Sequence, residues 1–578
     1  MSASSKKKLR KEQNAAAMTE KQQKELKEAK KLKSMTLTFA VIMVLVVAIV
    51  VGVVVRSPIA GAIDRGTHAA TVGTHELTTT DLSYFYIDAV NTYTQNVYSQ
   101  YYSMLGDYWY LGLGFSTTTP LDEQEYKNEA EGEEDIATWA DYFMNEAFES
   151  AKSVYGLYDK AVAENHKLTE DQQKALTNLE SSLELTAAYS GYSSAASYLR
   201  STYGDGANMK TYTKYYEISA IASSYYQAYA ESLEYTDEDY RAHEKGQFNN
   251  YSTFSYALYQ IKVDDYVVED TESESDSDKK DTTETTVPPT TSSSTSKEPT
   301  KEQLAAALEL AKKDADKLAA GEYKDSKAFD LAIQALEINK GNEKVASTVS
   351  EDVFYENISN SDIQKWVGNA NRKEGDVTAI AITSKDTSDK DNPTLKTTGY
   401  YVVYFMERDN NETDLVDVRH ILVKFEGGKT DSTTGETTYT EEEKNKAKET
   451  AEKLLADWKA GDATEESFGK LADEKTADTG SKGNGGLYEE VYPNQMVEAF
   501  NDWCFDAERK PGDTGIVETE YGYHVMFFSK TQDITYRDSM IKAELVSEDA
   551  KEWHDAIQEA VKVTKVNLDG MEWDLVVG

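Results

Sequence analysis

The 578 residues carry 61 Lys+Arg against 103 Asp+Glu, a formal charge of −42, and such acidity excludes a nucleic-acid binder, because phosphate recognition needs a basic face. The one cysteine, Cys504, excludes an intrachain disulfide framework and a four-cysteine zinc site, and nothing in the composition asks for a metal or another cofactor. At 39% hydrophobic the chain can bury sizeable cores, and its length suits about three to four domains.

Residues 1–35 are basic, with eleven Lys/Arg against four Glu. Thr36–Val55 (TLTFAVIMVLVVAIVVGVVV) follows without a charge. At about 1.5 Å per residue the run spans roughly 30 Å, the thickness of a bilayer core. The expectation is a cytoplasmic segment over 1–35, one transmembrane helix over 36–55 ended by Arg56 and Pro58, and an outward-facing remainder. A cleaved signal peptide, with Ala60-Gly61-Ala62 as its small-residue site, is the rival reading. The long apolar run and long basic flank favour the uncleaved anchor.

Residues 69–250 read as mostly helical after two short strands. Leu82, Phe85, Tyr86, Ala89, Tyr93 and Val97 recur at three and four, the spacing of one helix face. Of the 39 tyrosines, 28 lie between Tyr84 and Tyr266. A Tyr ring with its polar tip suits either the edge of an amphipathic core or a wet groove that contacts varied partners. Residues 269–300 are acidic, rich in Ser/Thr and nearly free of apolar side chains, the composition of a disordered insertion.

An internal repeat follows. Phe254–Ile261 and Val418–Val423 both read as strands. Each is followed by a polar insertion that ends in a capping box, Thr300-x-x-Gln303 and Thr440-x-x-Glu443, and each box opens a helix. Each copy closes with an aliphatic-aromatic strand after a glycine, Gly399–Phe405 and Gly522–Phe528. The spacing predicts two tandem α/β modules, 251–410 and 411–530. The remaining segment, 531–578, offers Trp553, Ile557, Met571 and Trp573 to some partner surface.

The second copy carries Arg419-His420-Ile421-Leu422-Val423, Asp478-Thr479-Gly480-Ser481, Gly485-Gly486-Leu487, Asn494-Gln495-Met496-Val497-Glu498-Ala499-Phe500 and Gly522-Tyr523-His524-Val525, in that order. This set resembles the parvulin-type peptidyl-prolyl isomerases. A helical domain followed by such modules resembles the extracytoplasmic foldases of the PrsA/SurA type. The resemblance implies an α+β chain: a single N-terminal transmembrane helix, a mostly helical chaperone domain over 69–250 completed by 531–578, a degenerate parvulin-like module and a parvulin-type isomerase module. It also implies site residues. His420, Asp478, Thr519 and His524 would form the catalytic set, and Leu487, Met496 and Phe500 would bind the proline ring. The family usually has an acidic residue before that leucine and a glycine after it, and Gly486-Leu487-Tyr488 lacks both. Tyr256 and Tyr401 align with the two histidines in the first copy, which is therefore expected to be inactive.

Those residue types suit prolyl isomerisation. The X-Pro amide turns over in tens to hundreds of seconds across a barrier of roughly 18–20 kcal/mol. Its twisted transition state is less polar than the planar amide, so an apolar pocket that grips the ring and desolvates the amide favours it. Blander roles stay open. The histidines could only fix the sheet, Met496 and Phe500 could be core, Asp478 could be a loop carboxylate, and Cys504 suits a buried inert thiol. The implied function is a membrane-anchored extracytoplasmic isomerase and chaperone. Its partners would be unfolded or newly exported polypeptides with X-Pro bonds and, through one helix, the membrane. A holdase with weak or no isomerase activity and a cell-surface interaction protein are the alternatives. The sequence carries no sign of an oligomeric state.

Overall fold

Most helices start where a Thr, Ser or Asn precedes a side-chain acceptor by three residues, so that two free N–H groups are satisfied at once. Thr78 with Asp81, Thr138 with Asp141, Thr300 with Gln303 and Thr440 with Glu443 all form such boxes. The structure, a computed structural model, describes residues 58–127, 136–268, 299–386 and 394–573. The chain divides into two compact units, one running to Glu234 and resuming at Val546, the other Tyr235–Leu545.

In the first unit the helices Thr79–Leu105, Trp139–Ala163 and Met209–Glu231 bury Leu82, Phe85, Phe143, Ala147 and Ile218 in one core. Tyr84 and Tyr86 are wholly buried, whereas Tyr98, Tyr102 and Tyr189 are exposed, so the tyrosines divide between core and surface. The tail belongs to this core. Val563–Lys565 pairs with the strand His68–Val72, Met571 is buried, and Trp553 stacks on Tyr229 at 3.8 Å.

The second unit holds two four-stranded antiparallel sheets. One contains, in spatial order, Thr348–Phe354, Thr253–Lys262, Thr394–Asp409 and Val377–Asp386. The other contains Leu487–Val491, Asp414–Lys424, Gly522–Thr535 and Thr514–Thr519. Numbered along the chain within each module, both run second, first, fourth, third. Helices cover one face of each sheet: Lys301–Ala319 and Ser326–Gln334 in the first, Glu441–Ala460 and Glu465–Lys475 in the second. A short helix lies on the other face, Ser361–Val367 or Glu498–Cys504.

The repeat extends to details that sequence comparison misses. Arg372 lies over the Trp366 ring at 3.9 Å and donates from Nε to its carbonyl; Arg509 lies over Trp503 at 4.1 Å and does the same. Asp352 and Glu490 both take positive φ at a bulge in the second strand. Their N–H groups donate to Ser255 Oγ and Asp417 Oδ1, which stand at equivalent places.

Three expectations change. The unit boundary falls at 234/235 and not at 250/251, because Tyr240, Tyr251 and Ile541 share a small core and Arg241 pairs with Asp538. For the same reason the tail joins the first unit only from Val546, since the last strand of the second sheet runs on to Thr535. The fold class with a single N-terminal transmembrane helix, and with it the single-pass location, is corrected: among the described residues no helix is long and apolar enough to cross a membrane. Residues 1–35 and 36–55 lie outside the described residues, as does most of the insertion 269–300.

Candidate active site

The first and fourth strands of the second sheet run side by side, with His420 opposite Met526 and Leu422 opposite His524. Alternation puts both histidines on one face, on a diagonal that lets their rings meet. The rings stack with centroids 5.1 Å apart and Nδ1 to Nδ1 at 2.9 Å. His420 is 3% and His524 5% exposed.

A continuous hydrogen-bond chain runs through them. Asp478 Oδ2 is 3.1 Å from His420 Nε2, and Thr519 Oγ1 is 2.8 Å from His524 Nε2. The anion can only accept, so His420 carries its proton on Nε2 and donates it to Asp478. Its bare Nδ1 then accepts from His524 Nδ1–H, and the bare Nε2 of His524 accepts from the Thr519 hydroxyl. Thr519 Oγ1 in turn accepts the Tyr521 N–H at 3.2 Å. Every member is satisfied with both imidazoles neutral.

The electrostatics agree. Burial holds His420 below the usual histidine range despite the neighbouring carboxylate. Burial, and then the repulsion a charged His420 would exert, bring His524 down to about 3. Burial alone would push Asp478 up. Hydrogen bonds from the Ser481 hydroxyl, the Gly480 N–H, the Tyr488 hydroxyl and His420 outweigh it and hold the carboxyl far below its usual range. The site therefore contains one fixed negative charge beside two uncharged rings.

Phe500, from the helix Glu498–Cys504, meets both histidines edge-on, at 5.5 Å from His420 and 5.4 Å from His524. It is 2% exposed and packs with Val418, Val517 and Met526, with Met496 half-buried beside them. Phe500 is thus both a wall of the site and part of a core. Cys504 sits in the same core with its thiol pushed up to about 12 by burial, too high for a nucleophile.

The structure brings together His420, Asp478, Thr519, His524, Met496 and Phe500. It does not bring Leu487. Leu487 stands opposite Arg419, whose guanidinium reaches Glu465 and the carbonyls of Asn484 and Gly485 on the helix side of the sheet. Tyr488, opposite Val418, takes the place beside the histidines: its ring is 5.2 Å from His420 and its hydroxyl donates to Asp478 at 3.0 Å. Leu487 and Glu489 then occupy the places of the acidic residue and the glycine that the turn lacked, so both positions are present and substituted. Ser481, 1% exposed and also a donor to Asp478, was missed as well. The signal for it was present in Asp478-Thr479-Gly480-Ser481, where a serine three residues after an aspartate can fold back on the carboxylate.

In the first module the register gives the counterparts. Gly399 stands opposite Lys262 as Gly522 stands opposite Lys424. Counting from these pairs, Tyr401 takes the place of His524, Leu258 that of His420, and Ile382 that of Thr519. The alignment of Tyr256 with His420 is two residues off; Tyr256 matches Val418. Ile363 stands for Phe500, counted from the two Trp–Arg corners.

Residues 400–531 match the family model of the PPIC-type PPIASE domain, which begins in the last strand of the first module. The foldase protein PrsA 1 of Listeria monocytogenes is 32% identical over 111 residues, 18% of this chain and 37% of that protein. The foldase protein PrsA 2 of the same species is 27% identical over 203 residues, 35% of this chain and 64% of that protein. The chain thus spans less than two thirds of the length of these curated relatives. Among solved structures, the peptidylprolyl isomerase PrsA from Bacillus anthracis aligns at 20% identity over 26% of this chain and 59% of that one, with a TM-score of 0.16. Over residues 400–531 the chain carries a parvulin-type, PPIC-type peptidyl-prolyl isomerase domain, and it is similar there to the foldase proteins PrsA.

Proposed function

We propose that the chain is a peptidyl-prolyl cis-trans isomerase and foldase that acts on polypeptides containing X-Pro bonds. One observation carries the reading: the buried chain Thr519–His524–His420–Asp478 lies against Phe500, Met496 and Tyr488 in the second module, while the first module builds the same sheet without it. A polar chain that the fold does not need is retained for chemistry.

His420, His524, Asp478 and Thr519 supply the catalytic set, and Met496, Phe500 and Tyr488 grip the proline ring. The apolar walls desolvate the amide, which weakens the planar, more polar form relative to the twisted one. The Asp478 charge acts in the same sense. Resonance places extra negative charge on the carbonyl oxygen of the planar amide, and a fixed carboxylate beside it penalises that form more than the twisted one. The neutral histidines take no proton from the substrate; they hold Asp478 and the floor of the pocket in place. The foldase part of the reading draws on Tyr98, Tyr102, Met104 and Leu111 of the first unit, exposed apolar side chains that a non-native segment would cover.

The test is cis/trans isomerisation of a short proline peptide by the full chain and by Asp478→Asn, which keeps the shape and removes the charge. The expected result is catalysis by the wild type and at least a tenfold lower kcat/KM in the variant. A wild type no faster than the uncatalysed reaction would overturn the reading.

A further inference from the structure

Asp478 Oδ2 accepts four hydrogen bonds: from the Ser481 N–H at 3.0 Å, the Ser481 hydroxyl, the Tyr488 hydroxyl at 3.0 Å and His420 Nε2 at 3.1 Å. Oδ1 accepts the Gly480 N–H at 3.2 Å. The two Ser481 bonds and the Gly480 bond come from the same turn as Asp478 and move with it. The His420 bond ties the carboxylate to the first strand. The Tyr488 bond ties it to the second strand, which pairs with the first strand on the edge opposite the His524 strand.

We propose that Tyr488 is a positioning residue of this site, whose hydroxyl pins the Asp478 carboxylate against the sheet while its ring walls the pocket. The proposal rests on the isomerase reading above and goes beyond it. An apolar side chain at this position would supply the wall and leave the carboxylate held to the sheet through His420 alone. Tyr488 is half-buried, and burial together with the neighbouring Asp478 pushes its phenol up to about 12. It therefore remains a donor through neutral pH and below. The titratable groups that face Asp478 are His420, His524 and Tyr488, and both imidazoles stay neutral around pH 7. The Tyr488 hydroxyl is then a principal support of the negative charge, after the Asp478 turn itself.

The sign of the effect follows. The working form of Asp478 is the anion, present above its folded pKa and lost as pH falls through it. Removing a donor to the anion raises that pKa and moves the acidic limb of the pH–rate profile upward.

The experiment compares the full chain with Tyr488→Phe and Tyr488→Leu. It records kcat/KM against pH, melting curves, and the 13Cγ titration of Asp478 in Asp-labelled protein, assigned by its loss in Asp478→Asn. Tyr488→Phe should lower kcat/KM about three- to tenfold near neutrality, mostly through kcat, and move the carbon titration of Asp478 to higher pH. Its melting temperature should stay close to the wild type. Tyr488→Leu should show the same pH shift with a lower melting temperature. If Tyr488→Phe keeps the wild-type profile and titration while Tyr488→Leu is merely less stable, Tyr488 is packing only and the proposal falls. If the wild type proves inactive on peptides, the isomerase reading fails by itself, and the carbon titration still decides whether Tyr488 holds Asp478.

Discussion

The two modules of the second unit share a sheet order, a bulge, a Trp–Arg corner and a short covering helix, yet among the described residues only the second carries a buried histidine–carboxylate chain. In the first module Leu258 and Tyr401 stand where His420 and His524 stand in the second, and Ile363 where Phe500 stands. The difference separates what folds the sheet from what the sheet presents. Burying two imidazoles and a carboxylate is favourable only when all of them find partners. The first module shows that Leu258, Tyr401 and Ile363 fill the same places without altering the topology. The polar chain is therefore an addition to a self-sufficient scaffold, confined to one face of one sheet.

The largest effect expected from this comparison is on stability. Phe500→Ala removes a ring that is 2% exposed and shared by the site and the core, so it should destabilise the second module by about 3–5 kcal/mol. Phe500→Ile, the side chain the first module uses, should lose much less. Urea unfolding followed by hydrogen exchange in Asp414–Lys424 and Thr253–Lys262 would tell the modules apart; equal losses in both strands would break the comparison.

Acid should also distinguish them. His420 and His524 are held neutral in the folded state, with their pKa values lowered, so the unfolded chain binds more protons below its ordinary histidine pKa of about 6.5. Stability is then lost as pH falls below that value, by roughly 1.4 kcal/mol per pH unit for each histidine at most, down toward the folded pKa. Asp478, lowered as well, adds a loss of the same sign at still lower pH. Exchange protection should fall between pH 7 and pH 5 in Gly522–Thr535 and change little in Thr394–Asp409. Equal sensitivity would show that the histidines are not the cause.

Met496 should matter least to the fold. It is half-buried at the rim, so Met496→Ala should lower kcat/KM about tenfold, or about 1.4 kcal/mol, and shift the melting temperature only slightly. An unchanged rate would remove it from the pocket.

Much of this was legible in the sequence, and the parts that were not share a cause. The capping boxes at Thr300 and Thr440 and the strand runs that follow Gly399 and Gly522 could be read from spacing, because they are local. The histidines, Asp478 and Thr519 could be named from an ordered motif, although only the structure shows them joined. Register could not be read. A strand has period two, so a slip of one residue moves a side chain to the other face and a slip of two keeps it on the same face at the wrong place. The first kind put Leu487 where Tyr488 stands. The second matched Tyr256 to His420, although Tyr256 stands opposite Phe405 as Val418 stands opposite Phe528. The Trp–Arg corners escaped notice because their helices share almost no sequence with each other. The division at 234/235 depends on Tyr240, Tyr251 and Ile541, which lie far apart along the chain.

The central claim is that isomerisation belongs to one face of the second sheet and not to the fold as such. The direct test is to give that face the first module's side chains, His420→Leu with His524→Tyr, in the full chain, and to measure kcat/KM on a proline peptide beside a melting curve. Catalysis should fall about a hundredfold, equivalent to about 2.7 kcal/mol of transition-state stabilisation, while the two-module unit still melts cooperatively near the wild-type temperature. A variant that keeps both the wild-type rate and the wild-type melting curve would contradict the account and place the site elsewhere on the chain.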